Sequence, residues 1–265
     1  MIANVLSIAG TDPSGGAGIQ ADIKTFSAMG AYAMSVVTAV VAQNTQGVRG
    51  FVALDPAFVA DQIDAVFEDV RVDAVKIGMV ANAGIAEAIA DRLRRYEARK
   101  IVLDPVMVAK SGHHLLDPSA VAAVRDLLVP LATVITPNLP EAAVLLGREP
   151  IRALEEMRSC VRALLDLGPE WVLLKGGHMD DAYASIDVLH GPATIELGAP
   201  RVETRNDHGT GCTLSAAIAA LLPRNSVEDS VRRAKAYTHA ALVRSTELDV
   251  GSGHGPLHHF HALWD

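Results

Sequence analysis

Short apolar runs alternate along the chain with longer stretches whose apolar residues recur at helical spacing. Six of these runs are predicted strands, at residues 5–9, 35–41, 74–77, 101–103, 134–135 and 172–174. Strands that alternate with helices form a mostly parallel sheet that is covered on both faces. The sequence therefore predicts an α/β fold, a three-layer sandwich with its central sheet between two layers of helices.

The remainder of the chain predicts how this sheet ends. Residues 184–204 contain two strand-like runs separated by Gly191 and Pro192, which predicts a small edge hairpin or meander. Two long helices, at residues 210–222 and 227–247, are predicted to follow it. Because no low-complexity linker divides the sequence, we expect a single domain over residues 1–265.

Composition restricts the class of partner. The net charge is −8 and the sequence has no Lys/Arg cluster, which argues against nucleic acid or an anionic membrane as a partner. Small molecules are the expected ligands. We expect a cytoplasmic protein, since there is neither a leader sequence nor an uninterrupted apolar segment of about 18 residues. Half of the residues are hydrophobic, which together with the edge hairpin predicts a homodimer.

Four consecutive residues place a thiol at a predicted helix start. They are Gly209, Thr210, Gly211 and Cys212. Unpaired N–H groups at a helix start bind anions, and glycines allow a phosphate to approach the main chain closely. The same field favours the thiolate, which predicts a lowered pKa for Cys212 and a role as a base or nucleophile. The alternative is an ordinary glycine turn with a small buried cysteine. The other cysteine, Cys160, is predicted to be packing.

Polar residues follow several predicted strands, where the ligands of a parallel sheet gather. Asp104 ends one strand, and Glu141 lies in the first turn of a helix that Asn138 caps. Two carboxylates suit Mg²⁺, which keeps several waters and binds substrate phosphates. Lys175 directly follows another buried strand, where a phosphate is its natural partner. Taken singly, Asp104 could be a turn residue before proline and Glu141 a partner of the helix dipole. Together with Lys175 and the anion site they predict phosphoryl transfer, with Cys212 as the base.

The first glycine-rich loop lacks the features of known nucleotide loops. Gly16 to Ala21 matches the dinucleotide fingerprint, but the next strand ends without its acidic residue, and no Lys-Ser/Thr pair completes a Walker A loop. We interpret this loop as a wall of the substrate pocket, with Asp22 accepting hydrogen bonds. The alternative is a solvated Asp22 that complements the helix dipole. The ten histidines show no metal-binding spacing, and His208 is the one closest to the anion site.

Seven ordered motifs carry a resemblance that spans essentially the whole chain. They are Ile8 to Gly18, Gln43 to Thr45, Lys76 to Met79, Asp104 to Val106, Thr136 to Glu141, Lys175 to His178 and His208 to Thr213. In these motifs the chain resembles the hydroxymethylpyrimidine/phosphomethylpyrimidine kinases, the thiamine-biosynthetic family of the ribokinase-like superfamily.

The resemblance implies ATP-dependent phosphorylation of 4-amino-5-hydroxymethyl-2-methylpyrimidine, and then of its monophosphate to the diphosphate. It implies a catalytic group of Cys212, Lys175, Gly209, Thr210 and Gly211, and a Mg²⁺–nucleotide region of Asp104, Asn138, Glu141, Lys175 and Thr210. The implied pyrimidine pocket is Gly10, Ala17, Asp22, Gln43, Met79 and Val106. Chemistry supports this pocket, because the Gln43 amide offers a donor and an acceptor to an aminopyrimidine edge.

Three other functions remain open from the residues. A pyridoxine or pyridoxal kinase shares the fold and the thiol-ended motif, a catalytically silent pyrimidine-binding protein would need only the pocket, and acyl transfer would need a histidine base beside Cys212. Asp207 departs from the family, which tends to have a hydroxyl residue there; its carboxylate would oppose anion binding unless it faces solvent or pairs with Arg205. Residues 110–116 are the predicted lid.

Overall fold

A computed structural model describes residues 1–107, 118–177 and 184–264. The described strands are β1 (Asn4–Ala9), β2 (Tyr32–Val37), β3 (Ala39–Asn44), β4 (Gly47–Ala53), β5 (Ala74–Ile77), β6 (Ile101–Leu103), β7 (Val134–Ile135), β8 (Trp171–Leu174), β9 (Ala184–His190) and β10 (Thr194–Pro200). The described α-helices are α1 (Gly18–Ala28), α2 (Pro56–Phe67), α3 (Ala83–Arg95), α4 (Pro118–Ala123), α5 (Leu139–Leu146), α6 (Leu154–Leu165), α7 (Thr210–Leu221) and α8 (Val227–Val243). The predicted lid, residues 110–116, lies outside the described residues.

Eight of the described strands form the main sheet, in the order β10-β9-β8-β7-β6-β5-β1-β2. The pairs from β2 through β8 are parallel, whereas β9 and β10 pair antiparallel at one edge. The predicted mostly parallel sheet and its edge hairpin are therefore confirmed. Because parallel strands end at the same side, the segments that follow β1, β5, β6, β7 and β8 reach one edge of the sheet.

Helices cover both faces of the sheet, as predicted. Neighbouring residues of one strand belong to two separate cores: Val134 packs with residues of α7, whereas Ile135 packs with residues of α3 and α6. Successive side chains of a strand point to opposite faces, so a continuous apolar strand serves both layers. Helix α7 is buried continuously from Thr213 to its end at Leu221, and it lies within the core of its layer.

The prediction of one strand at residues 35–41 is wrong. The chain leaves the main sheet at Thr38, where the backbone N–H donates to Ala9 O at 2.9 Å and the hydroxyl donates to Met79 O at 2.6 Å. Strand β3 then pairs antiparallel with β4 in a separate two-stranded sheet. Gln43 thus lies on this small sheet and not at the end of a main-sheet strand. No glycine or proline marks the break, so the apolar pattern runs through it.

None of the described helices is both long enough and apolar enough to cross a membrane.

Candidate active site

Two residues that follow different strands form the centre of the site. Lys175 Nζ lies 2.9 Å from Asp104 Oδ1, although β6 and β8 are separated by β7 in the sheet. Asp104 is buried and also accepts hydrogen bonds from the hydroxyls of Thr136 at 3.1 Å and Ser215 at 3.3 Å. Burial alone would raise the pKa of Asp104, but Lys175 and Lys76 hold it below its usual value. The carboxylate therefore stays charged.

The start of α7 lies against this ion pair. A Cβ atom added to Gly211 would lie 3.1 Å from Lys175 Nζ and 3.7 Å from Asp104 Oδ2. Gly209 adopts a left-handed φ of 82°, and a Cβ there would collide with the carbonyl oxygen of Gly16. Thr210 donates its hydroxyl to Asp207 O at 2.7 Å. The structure thus brings the glycine-rich helix start, with its N–H donors, to Lys175 and Asp104.

Cys212 is half-buried on the first turn of α7, and its thiol interacts electrostatically with Lys76, Asp104 and Asp22. Burial raises the pKa of Cys212 to about 11, and the two carboxylates raise it further against the lowering effect of Lys76. The lowered thiol pKa expected from the helix start is therefore wrong. A local helix dipole is outweighed by desolvation and by charges brought in from other elements.

Asp22 does not take the solvated position that the sequence left open. Its side chain is fully buried, and its carboxylate lies 2.8 Å from Nζ of Lys76, which is fully buried as well. Ser7 donates its hydroxyl to the same carboxylate at 2.6 Å. Sequence reasoning gave Lys76 no role. The signal was present, because Lys76 interrupts an apolar strand in the same way that Lys175 ends one.

Glu141 and Asn138 form a reciprocal cap at the start of α5. Glu141 Oε2 accepts from the Asn138 N–H at 2.8 Å, and Asn138 Oδ1 accepts from the Glu141 N–H at 2.8 Å. A parallel bridge joins Asn138 to Lys175, which brings the cap beside the lysine. Burial raises the pKa of Glu141 to about 7, and the charge of Asp104 adds to this rise although Lys175 opposes it.

The two carboxylates fit Mg²⁺ better than a metal that needs a dense protein cage. Among the described residues no cluster of three or more His, Cys, Asp or Glu side chains is suited to hold a metal ion. Asp104 and Glu141 are buried, and the charge of Asp104 raises the cost of ionising Glu141. A sparse pair of acidic oxygens is what Mg²⁺ uses when waters and substrate phosphates complete its coordination.

The residues predicted for the pyrimidine pocket are partly brought together. A Cβ on Gly10 would lie 2.9 Å from Met79 Sδ and 3.6 Å from a side-chain carbon of Val41 on β3. Gln43 lies two residues beyond Val41 on β3, just after a register irregularity between Ala42 and Gln43. Val106 is half-buried two residues beyond Asp104 and packs on the core. This part of the predicted pocket therefore combines three segments: the loop after β1, the segment after β5, and strand β3 itself.

Ala17 belongs to a loop that a second buried carboxylate organises. Asp12 Oδ2 accepts from the N–H of Ala17 at 2.7 Å and of Gly16 at 3.1 Å, and it lies 2.8 Å from Nε2 of His208. Burial alone would raise the pKa of Asp12, yet hydrogen bonds from His208 and Ser14 lower it to about 2. This pairing of Asp12 with His208, which the sequence did not indicate, joins the substrate loop to the loop that begins α7.

The carboxylate of Asp207 has a partner that was not foreseen. His254 Nδ1 lies 3.0 Å from Asp207 Oδ1. The segment that carries His254 also donates from its backbone to Thr45 O at 2.7 Å, just beyond β3. Further along, His259 contacts the Thr213 hydroxyl at 3.0 Å, and burial lowers the pKa of His259 to about 3. The C-terminal histidines in this part of the chain therefore serve as docking residues against β3 and α7.

Comparisons with known proteins assign the fold and the family. A Clostridium difficile phosphomethylpyrimidine kinase superposes with a TM-score of 0.80 at 43% identity over 90% of this chain and 99% of that one. A Staphylococcus aureus pyridoxal kinase in complex with AMP-PCP and pyridoxal superposes with a TM-score of 0.90 at 31% identity over 99% and 95% of the two chains. These similarities define a kinase with the ribokinase-like fold, as predicted.

The sequence comparison is more specific. Residues 12–258 match the phosphomethylpyrimidine kinase family. A hydroxymethylpyrimidine/phosphomethylpyrimidine kinase of Salmonella typhimurium is 56% identical over 262 residues, which cover 98% of each chain. The chain belongs to the phosphomethylpyrimidine kinase family.

Proposed function

We propose that the chain transfers a phosphoryl group from ATP to 4-amino-5-hydroxymethyl-2-methylpyrimidine, and then a second one to the resulting monophosphate, in thiamine biosynthesis. One observation carries this proposal: a thiol, an ammonium group and a carboxylate from distant parts of the sequence meet at the start of α7. They belong to Cys212, Lys175 and Asp104. Relatives that bear this activity in their names are 55–56% identical.

The chain's own groups account for the first transfer. Cys212 takes the proton of the substrate hydroxyl, the resulting oxygen attacks the γ-phosphorus, and ADP leaves. Negative charge on the transferred group faces the N–H groups of Gly209, Thr210 and Gly211 and the ammonium group of Lys175. Only the thiolate of Cys212 can accept this proton. Because the pKa of Cys212 is about 11, the thiol first loses its own proton to solvent, and the small thiolate fraction then serves as the base.

The nucleotide and metal are assigned to the neighbouring carboxylates and cap. We assign the nucleotide phosphates to Lys175, Asn138, Glu141 and Thr210, and Mg²⁺ to Asp104 and Glu141. Mg²⁺, when bound, neutralises charge between the phosphates. The supporting observation is the raised pKa of Glu141, because a buried carboxyl group beside another carboxylate gains from a cation.

The pyrimidine is assigned to the opposite wall, with Gly10, Ala17, Asp22, Gln43, Met79 and Val106 as its pocket. The Gln43 amide pairs with the aminopyrimidine edge, and Met79 and Val106 pack on the ring faces. Asp22 forms the floor of this pocket. Its carboxylate already accepts hydrogen bonds from Lys76 and Ser7.

A panel of acceptors tests the substrate assignment. ATP consumption is measured with hydroxymethylpyrimidine, with its monophosphate, with pyridoxine and with ribose. We expect turnover with the first two and formation of the diphosphate from either. The second candidate is a pyridoxine kinase, which the superposition on the pyridoxal complex favours. Turnover with pyridoxine alone would establish this candidate in place of the first.

Three further assignments concern the domain, the location and the oligomeric state. We propose one domain over residues 1–265, a cytoplasmic location and a homodimer. The homodimer is supported by Val40 and Val52, which face each other across β3 and β4 and are 53% and 69% exposed. Adjacent exposed valines are typical of a surface that another chain covers. Light scattering on the purified protein measures this state.

A further inference from the structure

Lys76 lies within the main sheet, away from both of its edges. It stands on β5 between β1 and β6, and its side chain is fully buried. Its Nζ lies 2.8 and 3.0 Å from the two carboxylate oxygens of Asp22. Replacing a buried ion pair with apolar groups of similar volume is often neutral or stabilising, so folding alone gives little reason to keep this one.

The ammonium group is directed toward the layer that carries the thiol. Along β5, Ala74 packs in the core that contains α7, and alternation places Lys76 on the same face. A Cβ on Gly78 would lie 2.8 Å from Lys76 Nζ, which places the ammonium group at the carboxyl end of β5. The next residue, Met79, belongs to the proposed pyrimidine pocket. The charge therefore lies beneath the floor of the site.

The charged groups that interact electrostatically with the Cys212 thiol come from several elements. Lys76 on β5 is the charge that most favours its thiolate, whereas Asp22 on α1 and Asp104 after β6 oppose it. Lys175 after β8 interacts with the same thiol. Removal of Lys76 would leave a half-buried thiol facing two carboxylates with one cation less. The thiolate would then be considerably harder to form.

We propose that Lys76 is a positioning residue for the catalytic thiol: its buried ammonium group, held in place by Asp22, stabilises the Cys212 thiolate when the proton leaves. The proposal deepens the kinase function and rests on it for the role of Cys212. The predicted effect on the thiol itself needs neither substrate nor turnover.

Alkylation of the thiol tests the proposal directly. The sequence has two cysteines, so a Cys160→Ala background leaves Cys212 as the single thiol. The rate constant for iodoacetamide is measured from pH 7 to 12 without ligands, a range that includes the parental pKa of about 11. We expect Lys76→Met to raise the midpoint of the pH profile by about one unit, equivalent to tenfold slower alkylation on the rising limb. Lys76→Arg keeps the charge and should restore most of the parental profile.

Two further variants separate electrostatics from structural damage. Asp22→Asn removes a carboxylate that opposes the thiolate, so it should lower the midpoint, opposite to Lys76→Met. If these variants acted only by loosening the Lys76–Asp22 ion pair, the pH profiles of Lys76→Met and Asp22→Asn would shift in the same direction. Lys100→Met removes an exposed lysine at the start of β6, the opposite end of the sheet, and should leave the profile unchanged.

The outcomes decide the proposal separately from the kinase assignment. A folded Lys76→Met protein with the parental profile would overturn the role of Lys76. If circular dichroism shows Lys76→Met unfolded, the double variant Lys76→Met/Asp22→Asn, which removes both charges of the buried pair, is compared with Asp22→Asn: a higher midpoint in the double variant supports the proposal, and an equal or lower one overturns it. Failure of the acceptor panel would remove the proposed function while leaving this electrostatic result intact.

Discussion

Asp12 and His208 lie 196 positions apart in the sequence, yet the Asp12 carboxylate is 2.8 Å from Nε2 of His208. The contact fixes the loop that begins α1 against the loop that begins α7. These loops carry Ala17 of the proposed pyrimidine pocket and the catalytic helix start. The pair therefore aligns the proposed acceptor side of the site with the side proposed to hold the phosphate.

The Asp12 pairing predicts a stability change at acidic pH. The pKa of Asp12 falls from 3.8 to about 2 on folding, so its contribution is present above about pH 4 and is lost as the pH falls through 2. We expect Asp12→Asn to cost about 2 kcal/mol at pH 7 and progressively less below pH 4. Urea unfolding at several pH values measures this difference. Asp61→Asn, at an exposed position, is the control; an equal loss at pH 3 and pH 7 would contradict the prediction.

Replacement of Cys212 by alanine should separate the two transfers. The hydroxyl acceptor must lose a proton, whereas a phosphate acceptor with a second pKa near 6 is already ionised at neutral pH. We expect Cys212→Ala to slow the first transfer at least ~10²-fold and the second transfer much less, with little change in pyrimidine binding. Single-turnover assays with each acceptor measure both rates, and Cys160→Ala is the matched control. An unchanged first transfer would remove the thiol from the mechanism.

A methyl group on Gly211 should reduce activity without reducing stability. It would enter the space beside Lys175 Nζ, at 3.1 Å, where the phosphate is expected. Alanine is favoured over glycine within a helix by about 0.5–1 kcal/mol, so the Gly211→Ala protein should melt at or above the parental temperature. We expect kcat to fall at least about tenfold through misplacement of the reacting groups.

Gly209→Ala provides the contrast to Gly211→Ala. Gly209 has a left-handed φ, and its Cβ would collide with Gly16, so this variant should lose stability as well. Thermal denaturation alongside turnover distinguishes the two glycines. A Gly211→Ala protein with parental kcat would show that the helix start does not hold the phosphate.

The Gln43 amide should contribute to pyrimidine affinity. Loss of one or two hydrogen bonds to the ring edge is worth about 1–2 kcal/mol, so Gln43→Ala should weaken binding roughly tenfold. Calorimetry with hydroxymethylpyrimidine measures this. Gln46→Ala is the matched control, because Gln46 is exposed on the turn of the same hairpin and contacts Ser252. Equal affinities of the Gln43→Ala protein and the parent would exclude Gln43 from the pocket.

Much of the fold follows from local sequence patterns. The predicted bounds of β5, β6 and β7 agree with the structure, and α7 begins at Thr210 as expected. Apolar periodicity and capping residues act over a few positions, so they can be read directly from the chain. The cap at Asn138 and Glu141 is of this kind, because each partner lies three residues from the other.

The break at Thr38 could not be predicted in the same way. Residues on both sides are apolar and mostly β-branched. The chain changes sheets because Thr38 bonds to Ala9 and Met79, which approach it only in the folded protein. The role of Lys76 is an intermediate case. Its place in an apolar strand signalled a buried charge, but the identity of its partner depended on how α1 packs.

The sequence by itself determined the order of strands and helices, the position of the glycine-rich helix start and the residue types that reach the carboxyl edge of the sheet. Only the tertiary structure decided which of these groups are neighbours and how their charges act. Cys212 shows the difference most clearly. The helix start that favours its thiolate is encoded locally, whereas the burial and the carboxylates of Asp22 and Asp104 that raise its pKa arise from elements that meet only on folding.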